Sequence, residues 1–351
     1  MVGMPRRSPE DRSPSQVDVA RAAGVSAQTV SRVISGNSNV RPETARRVMT
    51  AVDAVGYRLH AAAASLASGR TRTLGVILVS SGRYSTSAIL LGVEAVAAES
   101  GYTVTTASVP QHSAPAAFVE AFERLERQGS EGIVFLAPVG YLAEALGART
   151  ERTPTVGHRQ SDSTGIDALV DQRAIARMAT EYLLELGHRS VWHVSGDEFW
   201  QESKARREEW EAVLEEHGIT PPPVIPADWS PESGYRAGRT LAAIPDATAV
   251  FVSSDEMAFG VIRALHEAGR IVPDEISVAS VDDIALAAYA APALTTVRQP
   301  FEQVGRATAT RVIEMIEKRE PGATERLHPE LIVRASTAPP KTARDKQSLS
   351  K

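Results

Sequence analysis

The stretch SQVDVARAAGVSAQTVSRVISG, residues 15–36, carries apolar residues at helical spacing, yet AGVS breaks the pattern after two turns. Ser15 can cap a first helix, with Asp18 three positions on as its capping-box partner and Val17, Ala20 and Ala23 on one face. Gly24 permits the left-handed conformation that ends a helix, and Ser26 can cap a second one at once. In that second helix Val30, Val33 and Ile34 form the apolar face at i, i+3 and i+4. Its other face is Ala27, Gln28, Thr29, Ser31 and Arg32, all small or hydrogen-bonding. A third helix follows Pro42, with Ala45, Val48, Met49 and Val52 expected to face inward. Two short helices joined by a tight glycine turn, the second with a polar N-terminal face, have the geometry of a helix-turn-helix, whose second helix lies in the DNA major groove. A generic helical hairpin is the alternative that this pattern alone leaves open.

Charge supports the first reading. Residues 1–72 hold eleven arginines against five acidic residues, a charge of +6 in a chain whose total is −5, so the remainder carries −11. A small basic segment on an acidic body suggests that the segment meets a polyanion while the body does something else. The 351 residues suffice for two or three domains, and 43% apolar with 23% charged residues is the make-up of an ordinary globular protein. There is no cysteine, which excludes a disulfide framework and thiolate chemistry. No apolar run approaches a membrane span and no apolar stretch follows the charged start, so a cytoplasmic protein is expected.

Residues 1–14, rich in Arg, Ser and Pro, read as a disordered arm. From Leu74 onward, runs such as LGVILVS, GIVFLAP, AVFVSSD and ISVASVD alternate with helical stretches such as LLGVEAVAAES and MAFGVIRALHEAG. Such alternation predicts parallel sheets with helices on both faces, and its length suggests two lobes.

VDVARAAGVSAQTVSRVISG, followed by VRPETARRVMTAVDAVGYR, closely resembles the DNA-binding headpiece of the lac repressor family of bacterial transcription regulators, and the similarity extends over roughly residues 15–337. The fold so implied is an all-α helix-turn-helix headpiece plus an α/β two-lobed sensor like a periplasmic binding protein. The expected divisions are an arm at 1–14, the headpiece at 15–58, a hinge at 59–72, an effector-binding and dimerisation domain at 73–338 and a polar tail at 339–351. Within the sensor, one lobe takes in about 73–169 and 301–329, the other about 170–298 and 330–338.

Position by position, the resemblance implies that Ala27, Gln28 and Arg32 read bases, and that Ser26, Thr29, Ser31, Asn39 and Thr44 contact phosphates. The chemistry agrees, since a Gln amide pairs with adenine N6 and N7 and an Arg fork with guanine O6 and N7. RLHAAAASLASGRTRT resembles the family hinge, in which Leu66 would wedge into the minor groove and Ala63 would let two hinge helices approach. The sequence departs from the pattern at Leu59 and His60, where members have Pro-Asn, and at Ser35, where the lac repressor has Asn. In the sensor the resemblance implies an effector cleft built from His158, Arg206, Trp229, Asp255, Asp282 and Phe301, with Gln299 in the same crossover, and Tyr84, just past the first strand, is a further candidate for the cleft mouth. Arg, Asp and an aromatic platform suit a neutral polyol. Plainer roles compete: Trp229 could plug its lobe, Asp255 could only cap a helix, and Asp283 could belong to a turn. His158 stands where the lac repressor has Asp and Ser254 where Asn is usual, so the ligand is expected to differ from the lac repressor's.

Three other classes compete with this reading. An enzyme lacks support: there is no Gly-rich phosphate loop, nucleophile elbow or zinc motif, and neither His188 nor His193 is flanked by ligand partners. A solute-binding protein fits the body but not the basic headpiece. A constitutive DNA binder with a silent sensor would show no thermal shift with any effector. The expectation is therefore a homodimeric repressor of a carbohydrate operon, binding a pseudo-palindromic double-stranded operator and a sugar or related effector, with no catalytic residues, cofactor, metal site or membrane partner.

Overall fold

The computed structural model describes residues 14–34, 40–57, 69–80, 82–136, 145–157, 170–320, 322 and 326–341. Asn39, Ala63, Leu66 and His158 lie outside the described residues, as do nearly all of the expected arm and most of the hinge and tail. The chain divides into two compact units, residues 1–72 and 73–351.

In the first unit, α1 (Gln16–Ala23), α2 (Ala27–Ile34) and α3 (Pro42–Val55) are set by local signals. The Ser15 backbone N–H donates to Asp18 Oδ2 at 2.9 Å, closing the expected capping box. Gly24 ends α1 at φ 64°, where a side chain would be strained. The Thr29 N–H donates to Ser26 Oγ at 3.1 Å, so Ser26 caps α2. Val19, Ala20, Ala23, Val30, Val48, Ala51 and Tyr57 form the core, with Val33, Ile34 and Val52 packed against it. Two inward assignments fail. Val17 is 55% exposed and Met49 49% exposed, because the buried stripe of α1 runs through Val19 and Ala23 and that of α3 through Val48, Ala51 and Val52. Each lies off the stripe that the neighbouring helices select.

The second unit contains two sheets with helices on both faces. Among the described residues the first has order β2-β1-β3-β4, all parallel: β1 (Thr73–Ser80), β2 (Thr103–Pro110), β3 (Gly132–Leu136) and β4 (Thr155–Val156). Leu74 and Val76 of β1 pack in one core cluster and Ile77 and Val79 in the other, as the two-residue period of a doubly covered strand requires. The helix α4 (Tyr84–Glu99) contacts β1 and β2, as does α5 (Pro115–Arg127), and the short α6 (Arg149–Arg152) precedes β4.

The second sheet has order β10-β9-β8-β7-β5-β6. Its strands are β5 (Trp192–Ser195), β6 (Ile225–Pro226), β7 (Ala249–Val252), β8 (Ser277–Asp282), β9 (Thr295–Arg298) and β10 (Glu330–Ile332), of which only the β9–β10 pair is antiparallel. Helices α7 (Gln172–Glu185) and α8 (Gln201–Glu216) contribute Ile175, Leu183, Trp210 and Leu214 to one core cluster. Helices α9 (Pro231–Ala242) and α10 (Asp255–Glu267) contribute Leu241, Met257, Val261 and Leu265 to the other. From β9 the chain returns to the first sheet in α11 (Phe301–Ile316), then runs to β10. Helices α4 and α11 touch backbone to backbone: a Cβ on Gly92 would lie 2.1 Å from the Glu302 carbonyl oxygen, and one on Gly305 2.0 Å from that of Ile89. This contact ties together the helix starts that carry Tyr84 and Phe301.

His193, in the middle of β5, is fully buried, 4.9 Å from the Phe251 ring and 5.2 Å from that of Trp210, and its Nδ1–H donates to the Phe251 carbonyl at 3.0 Å. Burial pushes its pKa down to about 3 from 6.5. The unfolded chain therefore takes up this proton first as pH falls. The associated stability is complete above pH 6.5 and is lost on acidification toward pH 3, with a limiting slope of about 1.4 kcal/mol per pH unit. Urea midpoints of His193→Phe are expected to depend less on pH than wild type between pH 6.5 and about pH 5. Parallel curves would show that the imidazole is not held neutral.

Candidate functional site

In the helical unit the candidate surface is the outer face of α2. Ser26, Ala27, Gln28 and Arg32 are exposed, Thr29 and Ser31 half-buried, and Val30 is buried beneath them. The hydroxyls of Ser26 and Thr29 lie 2.9 Å apart, so one cap fixes the first turn that carries both. Thr44, half-buried, stands in the first turn of α3. Arg47, which sequence reasoning passed over, donates from Nη2 to the Ala23 carbonyl at 2.6 Å and secures the end of α1 before the turn. The result is a rigid tripod that presents a short amide and guanidinium face.

In the sensor unit a cleft lies between the two sheets, at the C-terminal ends of their strands, where ligands of open α/β sheets bind. Arg83, Gln172, Trp200, Glu202, Arg206, Gln299 and Phe301 are among the residues that line it. Arg206 of α8, 1% exposed, donates from Nε and Nη2 to Gln172 Oε1 at 3.0 and 2.7 Å, and from Nη1 to the Ser253 carbonyl at 2.6 Å. Gln172 Nε2 donates to Gln299 Oε1 at 3.1 Å, and Gln299 Nε2 to Asp282 Oδ1 at 2.7 Å. Arg206, Gln172, Gln299 and Asp282 thus form one hydrogen-bonded chain across the strand ends. Burial raises the Asp282 pKa, and the nearby Arg206 charge pulls it back. Asp282 and Asp283 adopt φ of 120° and 55°, conformations that cost about 1–3 kcal/mol each and gather at functional sites.

The expected effector residues divide. Arg206 and Phe301 line the cleft, and Gln299 joins Asp282 to it. Tyr84 stands 40% exposed, its ring 6.1 Å from that of Phe301. Trp229 lines an adjoining, more open hollow together with Arg83, Gln111, His112 and Glu256. Asp255 does not line the cleft. It is 0% exposed, and its carboxylate accepts from Ser280 Oγ at 2.5 Å, Thr296 Oγ1 at 2.6 Å and the Ile284 N–H at 2.8 Å. It is a buried tie between α10, β8 and β9, and it does not cap α10, since Ser254 Oγ takes that role by accepting from the Met257 N–H. Asp283 binds Arg298 Nε and Arg334 Nη2, each at 2.7 Å, and holds the turn after β8 as the plainer reading expected. His188 bonds Thr248 at 3.0 Å and approaches Ser277 and the Ala338 carbonyl, which is a packing role.

Sequence reasoning missed Gln172, Arg83, Trp200 and Glu202. An Arg after a strand and a Gln opening a helix have no local signature, and what defines them is distant partners. Among the described residues no group of three or more His, Asp or Glu side chains is placed to hold a metal, and no helix is long and apolar enough to cross a membrane.

Comparison with known proteins is consistent across the chain. Residues 17–59 match the family model for bacterial regulatory proteins of the lacI family, and residues 180–337 that for a periplasmic binding protein-like domain. The HTH-type transcriptional repressor PurR of Edwardsiella ictaluri is 33% identical over 333 residues, covering 92% of this chain and 96% of its own. Catabolite control protein A of Priestia megaterium is 29% identical over 311 residues, covering 86% of this chain and 92% of its own. Among solved structures, the lac repressor dimer bound to operator and the anti-inducer ONPF matches with a TM-score of 0.84 at 27% identity, over 93% of this chain and all of that one. The transcriptional regulator CelR–cellobiose complex matches with a TM-score of 0.67 at 28% identity, over 92% of this chain and 99% of that one.

Proposed function

The chain belongs to the lacI family of bacterial regulatory proteins and is a DNA-binding transcriptional repressor, and from that premise we propose that it is the sugar-responsive repressor of a carbohydrate-utilisation operon. In this reading residues 15–58 form the operator-reading headpiece, 59–72 a hinge, and 73–338 the effector-binding and dimerisation domain. Two copies bind a pseudo-palindromic operator, because one headpiece spans only a half-site. The observation that carries the DNA reading is the outer face of α2. Gln28 and Arg32 are exposed beside Ala27 and meet base edges, while Ser26, Thr29, Ser31 and Thr44 lie at its margin and meet phosphates.

The cleft supports the effector half. The neutral hydrogen-bonding chain of Gln172 and Gln299, ended by Arg206 and Asp282 and flanked by Phe301, offers donors and acceptors to hydroxyls and a flat face to a ring. The structural neighbour CelR is a cellobiose complex, which favours a carbohydrate for this cleft too.

The test begins by selecting the operator from a random duplex pool with the wild-type protein. Arg32→Ala and Gln28→Ala are each expected to cost about 1–3 kcal/mol on that operator, roughly 5- to 150-fold, with little loss on random DNA. Thr29→Ala should weaken both. If Arg32→Ala lowered specific and random binding by the same factor, base reading by Arg32 would be rejected. A panel of mono- and disaccharides is then expected to contain a compound that raises the melting temperature and releases operator. A panel that does neither rejects the carbohydrate assignment.

A further inference from the structure

Arg83, between β1 and α4, is a cation of the first lobe buried in the second. It is 6% exposed, with its guanidinium carbon 4.6 Å from the Trp200 ring centroid and 4.2 Å from that of Trp229. Its Nη1 lies 3.5 Å from Glu202 Oε1. Cations within about 6 Å of an indole face are attracted to it, most strongly when water is excluded, and both indoles are only 3% exposed. Further cross-lobe contacts lie around this one. Gln111 Nε2 donates to Asp197 Oδ2 at 3.0 Å, His112 Nε2 lies 3.1 Å from the same oxygen, and the Tyr84 N–H donates to Glu256 Oε1 at 3.2 Å.

The aromatic pair is constructed at a cost that packing alone does not explain. Trp229 has φ 75°, a left-handed conformation rare for a bulky residue. Its indole fills the space over Gly196, where a Cβ would lie 2.1 Å from Cζ2. The indole Nε1 of Trp200, that of Trp229, and Glu202 Oε2 are buried without a hydrogen-bond partner. Of these three groups Glu202 Oε2 is the one a guanidinium can satisfy, since the indole N–H groups are themselves donors, and a buried acceptor left over beside two indole faces that flank a cation fits a planar cation with a further N–H to give.

We propose that Trp200, Trp229 and Glu202 form a site for a planar cation in the second lobe, that Arg83 of the first lobe fills it in the effector-free protein, and that this internal cation holds the lobes together until an effector displaces it. The cation site stands on the geometry alone. Its regulatory consequence rests on the cleft being the effector site.

The experiment uses the full chain and methylguanidinium chloride as the probe, at constant ionic strength. Arg83→Ala is expected to shift tryptophan emission to longer wavelength and to increase the radius of gyration in solution scattering. Methylguanidinium should reverse both changes saturably in Arg83→Ala and do nothing to wild type, whose site is filled. Adding Trp229→Phe should raise the half-saturating concentration about fivefold or more. Should Arg83→Ala not fold, Arg83→Lys and Gly196→Ala decide. The first keeps charge without the flat stack, the second pushes the Trp229 indole aside without touching any charge, and each is expected to show the same emission shift. Unchanged emission and radius in the folded variants, or an equal methylguanidinium response in wild type and variants, would overturn the cation site. A carbohydrate that stabilises wild type should half-saturate Arg83→Ala at lower concentration, since its competitor is gone. A higher one would overturn the displacement step. A methylguanidinium response without any carbohydrate response upholds the cation site and rejects the effector class separately.

Discussion

Asp255→Ala is expected to lower the unfolding free energy of the sensor unit by roughly 3–5 kcal/mol, with a fall in melting temperature on the order of 10 °C. The carboxylate is fully buried and accepts from two hydroxyls and the Ile284 N–H, so its removal strands donors where water does not reach. Ser280 can turn to the Thr295 carbonyl, 3.4 Å away, whereas the Ile284 N–H loses the acceptor that holds it at 2.8 Å. Asp255→Asn keeps one acceptor and should lose less. The pH dependence carries an independent mark. Burial pushes Asp255 up to about 6 against the pull of its hydrogen bonds, and Asp282 up to about 7 against the pull of Arg206. For an acid whose folded pKa lies above its unfolded value, the folded state holds the proton longer. The stability so gained is complete below the unfolded pKa of 3.8 and is lost as pH rises through about 6 and about 7. This trend opposes that of His193, so the Asp255→Ala curve should fall less between pH 4 and 7 than wild type. Urea midpoints across that range measure it, and a loss below about 1 kcal/mol would show that the carboxylate is not the tie between α10, β8 and β9.

The contrast between Asp255 and Ser15 shows what a sequence discloses. The helix caps at Ser15 and Ser26 and the turn at Gly24 depend on partners three residues away, so the residues themselves announce them. The alternation of strands and helices is likewise a local pattern. Phase within a helix is less accessible: Val17 and Met49 are apolar and near the stripe, but only the packing of three helices decides that Val19 and Val48 are the ones inside. The cleft is harder still. Asp255 follows a strand, the position of a ligand carboxylate, yet its donors come from residues 25 to 41 positions away and saturate it. Arg83 meets Glu202 across 119 positions, and nothing in RYSTS foretells the indoles around it. Arg206, by contrast, was legible through its motif, although its partner Gln172 was not.

Arg206→Ala is expected to uncouple the sensor from its ligand while leaving operator binding intact. The guanidinium makes three hydrogen bonds to Gln172 and Ser253, and its charge is the main influence restraining the upward shift of Asp282. Without it Gln172 loses its anchor, Gln299 and Asp282 lose theirs in turn, and the Asp282 pKa rises further. The loss of one buried charged partner costs about 3–5 kcal/mol in stability. Arg206→Lys restores charge but cannot reach Gln172 and the Ser253 carbonyl with one fork, so it should recover only part of either property. Because the headpiece belongs to a separate compact unit, the affinity of Arg206→Ala for the selected operator should equal that of wild type at temperatures below its melting transition. Titration of the operator complex with the carbohydrate that releases wild type should need at least tenfold more ligand, the effect of losing a charge-assisted grip of about 1.5–3 kcal/mol. If the ligand is a co-repressor, the variant instead fails to hold operator at ligand concentrations that suffice for wild type. A wild-type ligand response in Arg206→Ala would remove the hydrogen-bonded chain from the ligand site in either case, because a ligand shifts a two-state equilibrium only through contacts that differ between the states.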